Sequence, residues 1–176
     1  MKKRFNSFFS FLSRAKRFVC VLLIVCFIPP LWLYADVSEK YRTLAKQTGV
    51  IYGSSAEKRI LAWRRLIDDS KSLSIVDQLT QVNNFFNQMD FVDDIKLWGK
   101  EDYWATPIEF LGMQAGDCED FTIAKYFTLR ELGVPDEQLR LVYVKALTLN
   151  QHHMVLAYYH KPTSIPVLLD NIDKEL

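Results

Sequence analysis

Between Leu132 and Pro135 the chain changes its hydrophobic period, and that change constrains its fold more than any other feature. On the amino-terminal side, Ala56 to Asp69 sets Ile60, Leu61, Trp63, Leu66 and Ile67 at near-helical spacing. Ile75 to Met89 repeats the pattern with Val76, Leu79, Val82, Phe85, Phe86 and Met89. A polar and aromatic stretch from Asp90 to Thr106 reads as a loop. Thr106-Pro107 then has the form of an N-cap followed by proline at the first helical position, and Gly116 breaks the short helix that results. From Cys118, the residues Phe121, Ala124, Lys125, Phe127, Thr128 and Leu132 continue a helix that Gly133 ends by a left-handed cap and Pro135 blocks. Beyond that point the runs Leu139 to Leu147, His152 to Tyr159 and Ile165 to Asp170 are β-rich, separated by the turn material Asn150-Gln151 and Lys161-Pro162. Helices first and strands last predict an α+β domain with an antiparallel sheet. No internal repeat or low-complexity segment interrupts this order.

The first 35 residues are of another kind. An apolar stretch from Phe18 to Ile28 follows Lys2, Lys3, Arg4, Arg14, Lys16 and Arg17, and no acidic residue occurs before Asp36. This predicts a signal peptide over residues 1–35, cut after Ala35, with the domain at 36–176. Leu33 stands where a small residue is preferred before a cut, so an uncleaved membrane anchor stays open. Neither Cys20 nor Cys26 follows a small residue, which argues against a lipid-modified cysteine. Both readings place the remainder outside the cytoplasm, free after cleavage or tethered to the membrane by residues 18–35. Past residue 35 there are 16 basic and 21 acidic residues, a net charge of −5 without a basic stripe, which argues against nucleic acid as a partner.

Export sharpens the meaning of Cys118, the only cysteine of the remaining domain. It has no intramolecular partner there, so it is either a buried small hydrophobe or a reactive thiol. Its flanks, Gly116-Asp117 and Glu119-Asp120, favour the second reading, because an inert core cysteine rarely sits among three carboxylates. A nucleophilic cysteine needs its thiolate, which a helix N-terminus and an adjacent imidazolium favour. The helix start supplies the first. The histidines available for the second are His152, His153 and His160, all on the strand side. Alternation puts His152 and His153 on opposite faces of their strand, leaving open which one faces the cysteine. Asp170, at the end of the next β-run, is placed to orient an imidazole in a Cys-His-Asp triad.

The elements Trp104-Ala105-Thr106-Pro107, Ala115-Gly116-Asp117-Cys118-Glu119-Asp120-Phe121, Leu132-Gly133-Val134-Pro135, His153-Met154-Val155-Leu156 and Leu168-Leu169-Asp170-Asn171 resemble, in order and spacing, the bacterial transglutaminase-like cysteine proteinases. The likeness is to the periplasmic LapG-type proteases and runs from about Tyr41 to the last residue. It implies a papain/transglutaminase-like fold, with Cys118 as nucleophile, His153 as general base and Asp170 as its orienting carboxylate. It also implies a calcium site at Asp117, Glu119 and Asp120. A dication there has a physical purpose, since three carboxylates beside a thiol raise its pKa and a bound cation offsets them. Calcium takes six to eight oxygens, so carbonyls, waters or acids from another loop, such as Asp93 or Asp94, must complete the shell.

By the same resemblance, the substrate is the amino-terminal region of a large surface adhesin, whose release promotes biofilm dispersal. The partner is an inner-membrane cyclic-di-GMP receptor that sequesters the protease. Backbone N–H at Cys118 is the first oxyanion donor, with Trp98, Trp104 and Gln114 as candidates for a second. Family members usually continue for a few dozen residues past the aspartate motif, whereas this chain ends at Leu176, which predicts a domain shortened at its carboxyl end. Two other classes remain open: a non-catalytic, calcium-dependent periplasmic binding protein, and an acyl transferase using the same triad.

Overall fold

The computed structural model describes residues 32–147 and 150–173, with side chains from Glu39 onward. The signal or anchor segment predicted at 1–35 lies almost wholly outside the described residues. Among those residues no helix is long and apolar enough to cross a membrane. A compact unit spans Tyr41–Leu176 and carries every residue of the candidate site.

Among the described residues, six helices and five strands follow in the order α1 (Trp32–Tyr52), α2 (Ser54–Ser70), α3 (Ile75–Phe86), β1 (Asp90–Phe91), α4 (Asp94–Leu97), α5 (Pro107–Met113), β2 (Ala115–Gly116), α6 (Cys118–Glu131), β3 (Leu139–Ala146), β4 (Gln151–Tyr158) and β5 (Val167–Leu169), with a 3-10 turn at Asp136–Gln138. Local chemistry sets the helix ends. Ser74 caps α3 by accepting from the Asp77 backbone N–H at 3.2 Å. Thr106 and Glu109 form a reciprocal capping box at α5, with Pro107 in the first turn. The carboxyl end of α5 is held by Arg59, whose guanidinium donates to the carbonyls of Leu111 (2.5 Å) and Gly112 (2.7 Å). At the end of α6, Gly133 adopts φ +93°. Its N–H bonds the Arg130 carbonyl at 3.1 Å and that of Val134 bonds Leu129 at 3.0 Å, which is the Schellman pattern.

Most of the helical stripes read from the sequence meet in one core, Ile60, Trp63 and Ile67 from α2, Leu79, Val82 and Phe86 from α3, and Phe121, Ala124 and Leu129 from α6, joined by Phe110 and Leu111 of α5. Val76 and Phe127, by contrast, fall on the solvent side of their helices. Leu156 and Leu169 bring β4 and β5 into the same cluster. Burying the Trp63 indole leaves its N–H to be satisfied, and Thr128 Oγ1 accepts it at 2.8 Å.

The sheet has the order β3-β4-β5, antiparallel throughout, as the strand-last sequence predicts. β3 and β4 pair along their full lengths, from Leu139 opposite Tyr158 to Ala146 opposite Gln151. β5 is shorter than its β-rich run and pairs only with Leu156 to Tyr158, so Met154 is left open on the β5 side. The stretch expected to be loop from Asp90 to Thr106 contains β1 and α4. β1 pairs in parallel with β2, Asp90 opposite Ala115 and Phe91 opposite Gly116. A two-residue strand carries no periodicity, so only its pairing reveals it.

Candidate active site

The chain leaves β2 at Gly116, passes Asp117 in extended conformation (φ −99°, ψ −169°) and enters α6 at Cys118. Asp117 occupies the N-cap position without making a side-chain cap bond. The half-buried Cys118 thiol donates to Glu119 Oε2 at 2.9 Å, and the backbone N–H of Met154 faces its sulfur and favours the thiolate. One turn on, Thr122 Oγ1 donates to the Met154 carbonyl at 3.1 Å. Both backbone groups of Met154 are thus turned to α6, where β5 has not yet begun, and the first turns of the helix are fastened along β4.

His153, next to Met154, is 2 % exposed. Its Nε2 lies 2.9 Å from Asp170 Oδ1 and 3.0 Å from Oδ2. A carboxylate only accepts, so a neutral imidazole in this pair carries its proton on Nε2 and keeps the lone pair on Nδ1. Nδ1 is buried and has no hydrogen-bond partner among the described residues. Asp170 is itself held twice more: Oδ1 accepts from the Ile172 N–H at 2.7 Å, and its backbone carbonyl accepts from Asn87 Nδ2 at 2.7 Å. The other histidines are exposed. His152 stacks on Tyr143 with ring centroids 6.2 Å apart, and His160 lies past the end of β4.

Beside the thiol, Asp94, Asp117 and Asp120 each bring one carboxylate oxygen within 4.8 Å of the other two. Asp120 Oδ1 accepts from the Ala105 N–H at 2.7 Å, and Asp94 Oδ2 from that of Tyr103. Of the remaining oxygens, Asp94 Oδ1, Asp117 Oδ1 and Asp120 Oδ2 are buried and have no hydrogen-bond partner among the described residues. Burial, followed by the Glu119 and Asp94 charges, pushes the Asp117 carboxyl up to about 8. Burial also takes Asp120 up to about 6, against the pull of the Ala105 N–H. Orphaned carboxylate oxygens at this spacing fit a hard, oxygen-seeking cation, and its charge would oppose both shifts. The Cys118 thiol is pushed up to about 12, first by burial, then by its bond to Glu119 and the charges of Glu119 and Asp117. Burial and the carboxylates together hold the thiol protonated, and offsetting the carboxylates removes one part of the barrier to its ionisation.

The family model of the bacterial transglutaminase-like cysteine proteinases, BTLCP, matches residues 65–176. The chain belongs to this family. Among solved structures, Legionella pneumophila LapG is 45 % identical, with a TM-score of 0.69 over 78 % of this chain and 74 % of that one. A calcium-bound form of the same protein matches equally well, and an EGTA-treated form gives the same identity and TM-score over 72 % of its length. No curated protein sequence matches.

Within this cysteine proteinase fold, the structure places His153 and Asp170 in direct contact and sets Cys118 against the strand residue next to His153. Asp117 and Asp120 stand together one helical turn apart. Their third partner is Asp94, whereas Glu119 turns its carboxylate to the thiol of Cys118 and to Asp117. Asp93, the other acid considered for the shell, pairs with Lys96 at 2.8 Å on the surface. Of the three candidate oxyanion donors, Gln114 is tied to Arg59 at 2.9 Å and Trp104 is exposed. Trp98 has a buried indole N–H with no partner among the described residues. Asn87 carries no signal in the sequence that would distinguish it from the neighbouring Asn83 and Asn84.

Proposed function

We propose that the chain is a calcium-dependent periplasmic cysteine endopeptidase with Cys118, His153 and Asp170 as its catalytic triad. The observation that carries this reading is His153: its Nε2 is taken by Asp170, its bare Nδ1 is buried, and the next residue of its strand touches the Cys118 sulfur. In the reaction, His153 Nδ1 accepts the thiol proton and the thiolate attacks a peptide carbonyl. Backbone N–H at Cys118, at the positive end of α6, stabilises the oxyanion, and the imidazolium returns its proton to the leaving amine. Water, activated by the same imidazole, then releases the acyl group.

Calcium bound at Asp94, Asp117 and Asp120 would supply the positive charge that offsets the carboxylates around the thiol. The fit of three orphaned oxygens supports this assignment, as does the existence of calcium-bound and EGTA-treated forms of the Legionella relative. Glu119 would then give up the thiol hydrogen bond when Cys118 ionises. As substrate we propose the amino-terminal region of a large surface adhesin, cut to release it and disperse a biofilm. The sequestering partner would be an inner-membrane cyclic-di-GMP receptor.

The test is to incubate the full chain with the amino-terminal region of a large adhesin from the same cell, in calcium or in EGTA, beside Cys118→Ala. Fragment masses are then read. Cleavage that requires both calcium and Cys118 is the expected result. An intact adhesin in the presence of calcium-bound protein, or a product whose mass shows an isopeptide bond, overturns the endopeptidase reading.

A further inference from the structure

Asp170 stands one residue beyond the end of β5, outside the ladder that fixes β4 and β5. Its bond to His153 is only as well placed as that residue. The contact that reaches Asp170 from the helical side is Asn87, 83 positions earlier, whose Nδ2 donates to the Asp170 carbonyl at 2.7 Å.

Asn87 is itself anchored. It is the C-cap of α3, with its own N–H bonded to the Asn83 carbonyl at 3.0 Å. The preceding residue, Phe86, is fully buried and packs on Phe85 and Phe110 at 5.1 and 6.1 Å. The chain then runs straight to the other half of the site. Asp90 N–H bonds the Gln114 carbonyl at 2.9 Å, Val92 N–H bonds that of Gly116 at 3.0 Å, and β1 lies on β2 directly before Asp117 and Cys118. Two residues further, Asp94 joins the aspartate cluster. One short segment, 87–94, therefore touches the His153–Asp170 pair, the strand that delivers Cys118, and the cation cluster.

We propose that Asn87 is a positioning residue of the catalytic centre, acting through Asp170 by fixing where that carboxylate meets His153 relative to the Cys118 end of the same segment. The inference rests on the triad proposed above. A misplacement of about 1 Å in such a constellation costs on the order of 100-fold in rate, so one amide hydrogen bond has leverage well beyond its own strength.

The experiment compares the full chain with Asn87→Leu, similar in size but without the donor, and Asn87→Gln, which keeps the amide on a longer stem. Three quantities are read in calcium: kcat and KM on the adhesin fragment, the melting temperature, and the pH dependence of Cys118 alkylation by iodoacetamide, followed by the mass of the peptide that carries Cys118. Asn87→Leu is expected to lower kcat by about 10- to 100-fold with KM within about twofold. Its alkylation at pH 6 is expected to fall about tenfold or more, towards that of an unpaired thiol. Asn87→Gln is expected to recover part of both. If wild type shows rapid alkylation at pH 6 and Asn87→Leu retains it along with wild-type kcat, the role of Asn87 is refuted while the triad stands. A loss of kcat that merely follows the loss of folded protein at the assay temperature refutes it equally. If wild type itself shows no alkylation at pH 6, the thiolate–imidazolium pair is absent and the triad falls together with the inference.

Discussion

Asp94→Asn is expected to move stability and calcium binding in opposite directions. Asp94, Asp117 and Asp120 hold carboxylate oxygens within 4.8 Å of one another, and Asp94 and Asp120 are buried at 3 % and 0 % exposure. Two unit charges at that separation repel by about 3.5 kcal/mol at an effective dielectric of about 20. The Asn side chain still offers an oxygen to the Tyr103 N–H, and its amide donates towards the oxygens of the other two aspartates. The two remaining acids relieve part of the repulsion by holding protons, Asp117 up to about 8 and Asp120 up to about 6, so the realised gain without cation is smaller, about 2 kcal/mol near pH 8. For a chain of this size that is a rise in melting temperature of about 4–8 °C in EGTA. The gain shrinks as the pH falls and vanishes near pH 5, where both partners are already neutral. In calcium the sign reverses: one of three anionic ligands is lost, and the affinity is expected to fall by roughly 100-fold or more. Melting in EGTA at pH 8 and pH 5, with calcium titration by calorimetry, reads both effects. A variant that melts lower than wild type in EGTA at pH 8, or that binds calcium as wild type does, refutes the assignment of these three residues to one site.

Gly116→Ala is expected to cost about 1–3 kcal/mol and to weaken calcium binding, measured by melting and calorimetry. A Cβ at Gly116 would lie 2.8 Å from Asp120 Cβ and 2.7 Å from Phe110 Cδ2, forcing the carboxylate off the cluster. Phe86→Ala removes a fully buried ring from between Phe85 and Phe110 and is expected to cost about 3–5 kcal/mol in urea unfolding. In EGTA, folded Asp117 and Asp120 bind protons that an unfolded aspartate has released at its ordinary value of 3.8. The native state therefore holds more protons than the unfolded one, and stability is expected to fall as the pH rises from about 4, through 6 for Asp120 and 8 for Asp117. Calcium must displace the same protons, so its affinity is expected to rise by up to about tenfold per pH unit between pH 6 and 8, where Asp117 still holds its proton, and more steeply below 6, where Asp120 does as well.

The sequence by itself determined the longer elements from α2 onward, because their causes are local, and missed β1, β2 and α4, which only their packing reveals. Apolar stripes at helical spacing became α2, α3 and α6; the Thr106-Pro107 cap with Glu109 opened α5; Gly133 and Pro135 closed α6; and the β-rich runs after Leu139 became an antiparallel sheet. The chemistry of Cys118 among its acids, and its family, were legible for the same reason: they sit in one contiguous motif. Alternation left His152 and His153 level, since it specifies that they face opposite ways but not what lies on either side, and the family resemblance alone favoured His153. Packing decided between them by burying His153 against Asp170 and leaving His152 exposed beside Tyr143. Packing likewise chose Asp94 over Asp93, turned Glu119 to the thiol, and brought Asn87 to Asp170 across 83 residues. These contacts join residues far apart in the chain or distinguish neighbours of identical chemistry. Local propensity carries no information about either, because both depend on how the helices and the sheet come together around one core.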